Sequence, residues 1–136
     1  MEWNDLYKKA YELTSIDKKL TRYMEVASVG CALETTNNNI YLGVNIDTAC
    51  SLGMCAERNA LANMLTHNES EIKRIVCVHN DGEVWVPCGA CREFMMLLGS
   101  KNEEIEVLIS LNPVVTKKLK ELLPNWWGKK KVNIID

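Results

Sequence analysis

Apolar and polar residues alternate along this chain in two different periods, and the switch between them divides it into elements. Trp3, Leu6, Tyr7, Ala10 and Leu13 recur at i, i+3, i+4, i+7 and i+10, one face of a helix that the reading carries over residues 3–19. Asn4 or Asp5 is placed to cap it. The pattern then changes. Residues 25–34 form a nearly continuous apolar run, the polar stretch Thr35 to Asn39 turns the chain, and residues 40–47 read as the return strand of a hairpin. Helical spacing resumes from about Met54 to Thr66, where Ala56, Ala60, Leu61, Met64 and Leu65 make an apolar stripe that His67 and Asn68 end.

Residues 72–79 predict a further strand, and the run Ile75 to Val78 marks it as buried on both faces. Asp81-Gly82 turns the chain. Val84-Trp85-Val86 leads to Pro87, and a helix follows from about Cys88 to Leu98 with Gly99 as its stop. Residues 105–109 predict the next strand and residues 114–116 a short fifth one. Lys118 to Leu123 reads as a short helix stopped by Pro124. Strand-helix-strand repeats of this kind place helices on both faces of a sheet, so the expected fold class is α/β, a three-layer α/β/α sandwich. No repeat or linker-like stretch interrupts residues 1–136, which predicts a single domain.

Composition narrows the classes. Apolar residues make up 47% and charged residues 25%, an ordinary globular balance and not that of a disordered chain. The formal net charge of −2 argues against a protein that grips phosphate backbones, so no nucleic-acid partner is expected. The one basic cluster, Lys129-Lys130-Lys131, reads as a solvated tail. No apolar run approaches the roughly 20 residues of a membrane helix, and Met1-Glu2-Trp3-Asn4-Asp5 does not resemble a secretory signal. No membrane partner is expected, and the expected localisation is cytoplasmic. In that setting six cysteines point to free thiols or metal ligands and not to disulfides.

Three of those cysteines carry the chemistry. Cys88 and Cys91 lie two residues apart inside Pro87-Cys88-Gly89-Ala90-Cys91-Arg92, and Cys55 opens Cys55-Ala56-Glu57-Arg58 about thirty residues earlier. Zinc takes three protein ligands in a catalytic site and leaves its fourth position for water; neither segment offers a fourth Cys or His at ligand spacing. All three cysteines fall at predicted helix N-termini, where free N–H groups and the helix dipole favour thiolates. Three thiolates leave one Zn2+ with a net charge of −1, so nearby positive charge is needed; Arg58 or Arg92 is placed to hydrogen-bond the sulfurs. Glu57 lies on the first turn after Cys55, within reach of a bound water without ligating the metal, as an acid–base group requires. Zinc-dependent base deaminases combine these parts.

These two segments resemble the signatures of the cytidine deaminase family, in its small form that uses three cysteines. The resemblance extends to Val29-Gly30-Cys31-Ala32-Leu33, to Gly43-Val44-Asn45-Ile46-Asp47 and to Glu121-Leu122-Leu123-Pro124-Asn125-Trp126-Trp127-Gly128, and it spans most of residues 23–128 in the family's order. It implies a mixed five-stranded sheet and a homotetramer whose active sites are shared between subunits. It implies hydrolytic deamination of cytidine or deoxycytidine, an activity of pyrimidine salvage. There a zinc-bound hydroxide attacks C4 of the ring, Cys55, Cys88 and Cys91 hold the zinc, and Glu57 shuttles protons. Arg58 would temper the thiolate charge. Asn45, Asp47, Ala56 and Trp127 would contact the nucleoside: Asn45 and Asp47 at the ribose, and Trp127 near the base, in an adjacent subunit's site.

Three departures from the family pattern fall on the sugar pocket. Asp47 replaces a Glu, the loop from Asn45 to Cys55 is one residue shorter, and Ala27 stands where a Phe is usual. Blasticidin S deaminase, a relative, keeps the zinc chemistry while varying the same pocket, so another cytosine nucleoside is the alternative substrate. A non-catalytic, zinc-stabilised binding module is the remaining reading. Elsewhere, Cys31, Cys77 and Trp85 are expected in the core. Cys50 is expected near the pocket, His67 at a helix end and His79 at a strand end without a role. Trp126-Trp127 is expected at a subunit interface or active-site wall, and Val132, Ile134 and Ile135 alternate as a docked or fraying tail.

Overall fold

The fold, taken from a computed structural model that describes residues 2–131, is a mixed sheet covered by helices on both faces. Its elements in chain order are α1 (Trp3–Leu13), β1 (Lys18–Thr21), β2 (Met24–Thr35), β3 (Ile40–Thr48), α2 (Ala56–Thr66) and β4 (Ile72–His79). They continue with α3 (Gly89–Leu97), β5 (Glu106–Leu111), β6 (Val114–Lys118), α4 (Leu119–Leu122) and α5 (Gly128–Lys131). The Val132, Ile134 and Ile135 alternation lies outside the described residues. Among the described residues no helix is long and apolar enough to cross a membrane.

The sheet has six strands where five were expected. The extra one is β1, which falls on the end of the predicted 3–19 helix. The apolar face of α1 stops at Leu13, and Thr14, Ser15 and Ile16 favour other backbone states, so the chain tightens into a 3-10 turn and leaves the helix. Lys18 and Lys19 then pair with Val26 and Glu25 of β2. The α1 N-cap is Glu2, so Asn4 and Asp5 sit inside the first turn and not at the cap.

β2 is the hub. It pairs antiparallel with β3 along one edge, and with β1 and then β4 along the other. β4 pairs parallel with β5, and β5 antiparallel with β6. Side chains of β2 and β4 alternate between two cores, as the apolar run Ile75 to Val78 predicted. Cys31, Leu33, Ile75 and Cys77 pack with Ala60, Leu61, Met64 and Met95 of α2 and α3. Ala32, Val76 and Val78 pack with Leu6 and Ala10 of α1 on the opposite face. Cys31 and Cys77 are buried core thiols, as expected.

Two glycines set how closely the helices lie on the sheet. A Cβ on Gly30 would sit 2.0 Å from the Ala10 carbonyl oxygen of α1. A Cβ on Gly43 would sit 2.3 Å from the Ala60 nitrogen and 2.5 Å from the Ala56 oxygen of α2. The Asn59 side chain donates to the Val44 carbonyl at 3.0 Å and pins the same helix to β3.

The β2–β3 hairpin is tied off by Glu69, just after α2. Tyr41, Asn37 and Asn39 all donate to its carboxylate, Tyr41 at 2.5 Å. The Tyr41 hydroxyl, with Thr35, Asn39 and Asn37, holds the Glu69 carboxyl down to about 2.

Two consequences are measurable. Either glycine replaced by alanine forces backbone apart and should cost about 1–3 kcal/mol in urea unfolding. Gly43→Ala should also weaken zinc retention, because it lifts the helix that begins at Cys55, whereas Gly30→Ala should leave zinc retention intact. For Glu69, a folded-state value below the unfolded one means stability that is present above about pH 4.5 and is lost as pH falls toward about 2. The wild type should therefore exceed Glu69→Gln in unfolding midpoint at pH 7, with the gap closing between pH 4.5 and 2.

Candidate metal centre and active-site cleft

Two helix N-termini converge on one point. Cys55 is the N-cap of α2, Cys88 is the N-cap of α3, and Cys91 lies in the first turn of α3. Their sulfurs lie within 4.8 Å of one another. Cys55 Sγ is 3.7 Å from Cys88 Sγ, which is 3.4 Å from Cys91 Sγ. Local pairing delivers Cys55 to this point: the loop after β3 folds back so that Met54 and Ile46 exchange two backbone hydrogen bonds, of 2.8 and 2.9 Å.

The electrostatics of the three thiols differ. Burial and the Glu57 carboxylate push Cys91 well above the ordinary thiol value. Burial also raises Cys55, assisted by its contact with Cys88 and opposed by Arg58. At Cys88 burial works in the same direction, but the Cys91 N–H and the Cys91 and Cys55 thiols outweigh it and favour the thiolate. Arg58 faces this negative cluster. Its contact with the Cys55 sulfur and the charges of all three thiols hold it protonated, and its Nε is buried without a hydrogen-bond partner. Three crowded sulfurs, one held up by a neighbouring carboxylate, beside a guanidinium with a donor to spare, fit a thiolate-loving divalent cation such as zinc.

Arg92 departs from the expectation. Its Nε donates to the Pro87 carbonyl at 2.7 Å and its guanidinium to the Leu122 carbonyl at 3.3 Å. It braces the turn into α3 against the end of α4, and its donors go to these carbonyls instead of to the sulfurs.

A cleft of about 700 Å3 opens beside the sulfurs. Cys55, Ala56, Glu57, Arg58 and Cys88 form one wall, and Ser28, Val29, Asn45 and Asp47 form another. Glu57 is 6% exposed and lines this cleft. Ala56 is buried behind it. Cys50 lines the rim, as expected.

The β2–β3 ladder is interrupted between Val26 and Gly30, where Ala27 takes a left-handed backbone with φ 67°. Asn45 mends the gap. Its Oδ1 accepts the Val29 N–H at 2.8 Å, and its Nδ2 donates to Ser28 Oγ at 2.9 Å and to Asp47 Oδ2 at 3.2 Å. The Asn45 amide is thus engaged within the chain, while Asp47 is exposed at the mouth.

Trp127 is not among the cleft's walls. It is half exposed, and its indole N–H donates to Glu93 at 2.9 Å beside that of Trp126 at 2.7 Å. Trp85, expected in the core, is instead 47% exposed and lines the cleft with Val86. Its segment runs out from β4 along the rim, bridged to the sheet at Val84 and Val78. The apolar pattern around it was indistinguishable from that of a buried strand. Ser28 was also missed, and only its neighbourhood to the left-handed Ala27 marks it. His67 caps α2 as expected, and Lys129 of the basic cluster pairs with Glu103.

Comparison with known proteins agrees with this geometry. The cytidine deaminase of Mycobacterium tuberculosis is 28% identical over 102 residues, 74% of this chain and 73% of that protein. Its crystal structure matches with a TM-score of 0.77 at 25% identity, covering 94% of this chain and 98% of that one. The cytidine deaminase of Halalkalibacterium halodurans is 28% identical over 106 residues, 77% of this chain and 80% of that protein. A cytidine deaminase structure from Burkholderia pseudomallei matches with a TM-score of 0.72 at 28% identity, covering 92% of this chain and 98% of that one. The family model for the cytidine and deoxycytidylate deaminase zinc-binding region matches residues 4–105, and the chain belongs to that family.

Proposed function

We propose that the protein hydrolytically deaminates cytidine or deoxycytidine to uridine or deoxyuridine. The observation that carries this reading is the placement of a buried, cleft-facing carboxylate, Glu57, two residues from one sulfur of a three-cysteine cluster. Cys55, Cys88 and Cys91 would hold the zinc, which would supply Lewis-acid activation of water at neutral pH. Glu57 accepts one proton of that water and delivers it to N3 of the ring, then takes the second from the hydroxyl now on C4 and gives it to the departing 4-amino nitrogen. One water is consumed, the C4–N bond breaks, and ammonia and a uracil-type ring leave. Arg58 keeps positive charge beside the sulfurs throughout, offsetting the surplus of thiolates. The helix N-termini of α2 and α3 act in the same direction.

At the other end of the cleft, the sugar contact falls chiefly to Asp47, since the Asn45 amide is engaged by Val29, Ser28 and Asp47 itself. Asn45 then acts by fixing the Asp47 carboxylate. The homotetramer belongs to the same proposal. Trp127 is half exposed and outside its own cleft, which supports a place for it in a neighbouring subunit's site. A second reading keeps the chemistry and changes the substrate to another cytosine nucleoside such as blasticidin S. It is favoured by the departures that the sequence carries around the sugar pocket, Ala27, Asp47 and the short loop before Cys55.

Glu57→Gln should fold, load zinc to the wild-type level and lose about 10²–10⁴-fold in kcat. Zinc content and ammonia release on the same sample check this, and retained turnover would remove Glu57 from the reaction. Ammonia release across cytidine, deoxycytidine, blasticidin S, adenosine and guanine should favour the first two. Cytidine turning over no faster than blasticidin S would select the second reading.

A further inference from the structure

Trp85 is the largest side chain on the cleft's walls, and no part of the zinc motif accounts for it. It sits three residues before Cys88, on the segment that joins β4 to α3. Its ring lies flat on His79, with centroids 4.2 Å apart and planes 5° from parallel. The His79 ring stands in turn beside a carboxylate, its Nδ1 lying 3.1 Å from Asp81 Oδ1. The backbone under the pair is also fixed. The Trp85 N–H donates to the Cys77 carbonyl at 2.9 Å, the His79 N–H to the Glu83 carbonyl at 2.9 Å, and the Gly82 N–H to the His79 carbonyl at 2.8 Å. Gly82 has a φ of 87°, which few other residues adopt at a turn this tight.

An indole has two broad faces, and the imidazole covers one of them. With 47% of the residue exposed, the bare area is the opposite face and the edges, on a concave wall beside Glu57 and Cys88. A large aromatic surface held rigid before any ligand arrives loses little side-chain freedom on binding. It prefers a second ring in offset stacking.

We propose that Trp85 is a stacking wall for the heterocyclic ring of the substrate, and that His79 and Asp81 are positioning residues that hold the indole in that pose. This rests on the reading that the substrate is a cytosine-type nucleoside. It adds a ring contact that lies within the same chain as the sulfurs, independent of any neighbouring subunit.

The test uses the full-length, zinc-loaded chain and its Trp85→Leu, Trp85→Phe and His79→Ala variants. It measures kcat and KM for cytidine, the Kd of uridine by calorimetry, zinc content and mass in solution. Trp85→Leu should raise KM and the uridine Kd about tenfold, as loss of a base-stacking ring does. It should change kcat less than about twofold, with zinc and mass unaltered. Trp85→Phe should recover most of the loss. His79→Ala should raise KM by a smaller factor, about two- to threefold, with kcat unmoved. Unchanged KM and Kd in Trp85→Leu would overturn the proposal. So would an altered mass with ring affinity intact, which would make Trp85 a subunit contact. A wild type that releases no ammonia from cytidine but binds uridine would sink the substrate reading alone, and the uridine Kd of the variants would still decide the wall. A wild type that does neither would overturn both.

Discussion

The constraint on which this molecule turns is the mutual repulsion of negative charge at one point. Three sulfurs within 4.8 Å and a buried carboxylate beside them form an arrangement that a folded chain tolerates only with compensation. The structure provides it in two ways. Two helices aim their N-termini at the cluster, so that unpaired N–H groups and helix dipoles face the sulfurs. Arg58 brings a full positive charge from the same turn as Glu57. What remains is the high affinity of Cys91 for its proton, which a divalent cation at the centre displaces. The close seating of α2 over Gly43 serves the same end, because it decides where Cys55 and Glu57 arrive.

The opposite wall of the cleft works by a different rule. There the sheet gives up regularity to gain shape. The left-handed turn at Ala27 breaks a ladder that runs cleanly from Gly30 to Glu34, and it sends Ser28 and the Val29 amide toward the cavity. Asn45 satisfies that freed amide and in doing so orders Asp47. A buried amide that serves as a brace on one side and a template on the other keeps the two strands in register without a continuous ladder.

Much of this was legible in the sequence because the relevant signals are local. The sulfur positions follow from the placement of Cys55 and Pro87-Cys88 immediately before helical patterns, and the two-core sheet follows from the run Ile75 to Val78. The rest depended on contacts between distant residues. β1 is a fully exposed edge whose Lys18 and Lys19 carry no alternation; only pairing to β2 makes it a strand. Arg92 lies one residue after Cys91 and Arg58 three after Cys55, each within a single turn of a sulfur ligand. The carbonyls of Pro87 and Leu122 take up the first as a brace, while the second faces the thiols. Trp85 and a core tryptophan look alike in one dimension, since exposure is set by where the chain leaves the sheet.

One feature of the outer layer ties the far end of the chain to the cluster. Glu93 lies on the same nine-residue helix as Cys91 and grips both indoles, Trp126 through one oxygen and Trp127 through the other. The C-terminal segment is therefore a strap buckled to the helix that carries two of the three sulfurs. A chain shortened before Trp126 would leave that buckle open and the flank of α3 uncovered, so these two indoles are as much a part of the centre's scaffolding as the strands beneath it.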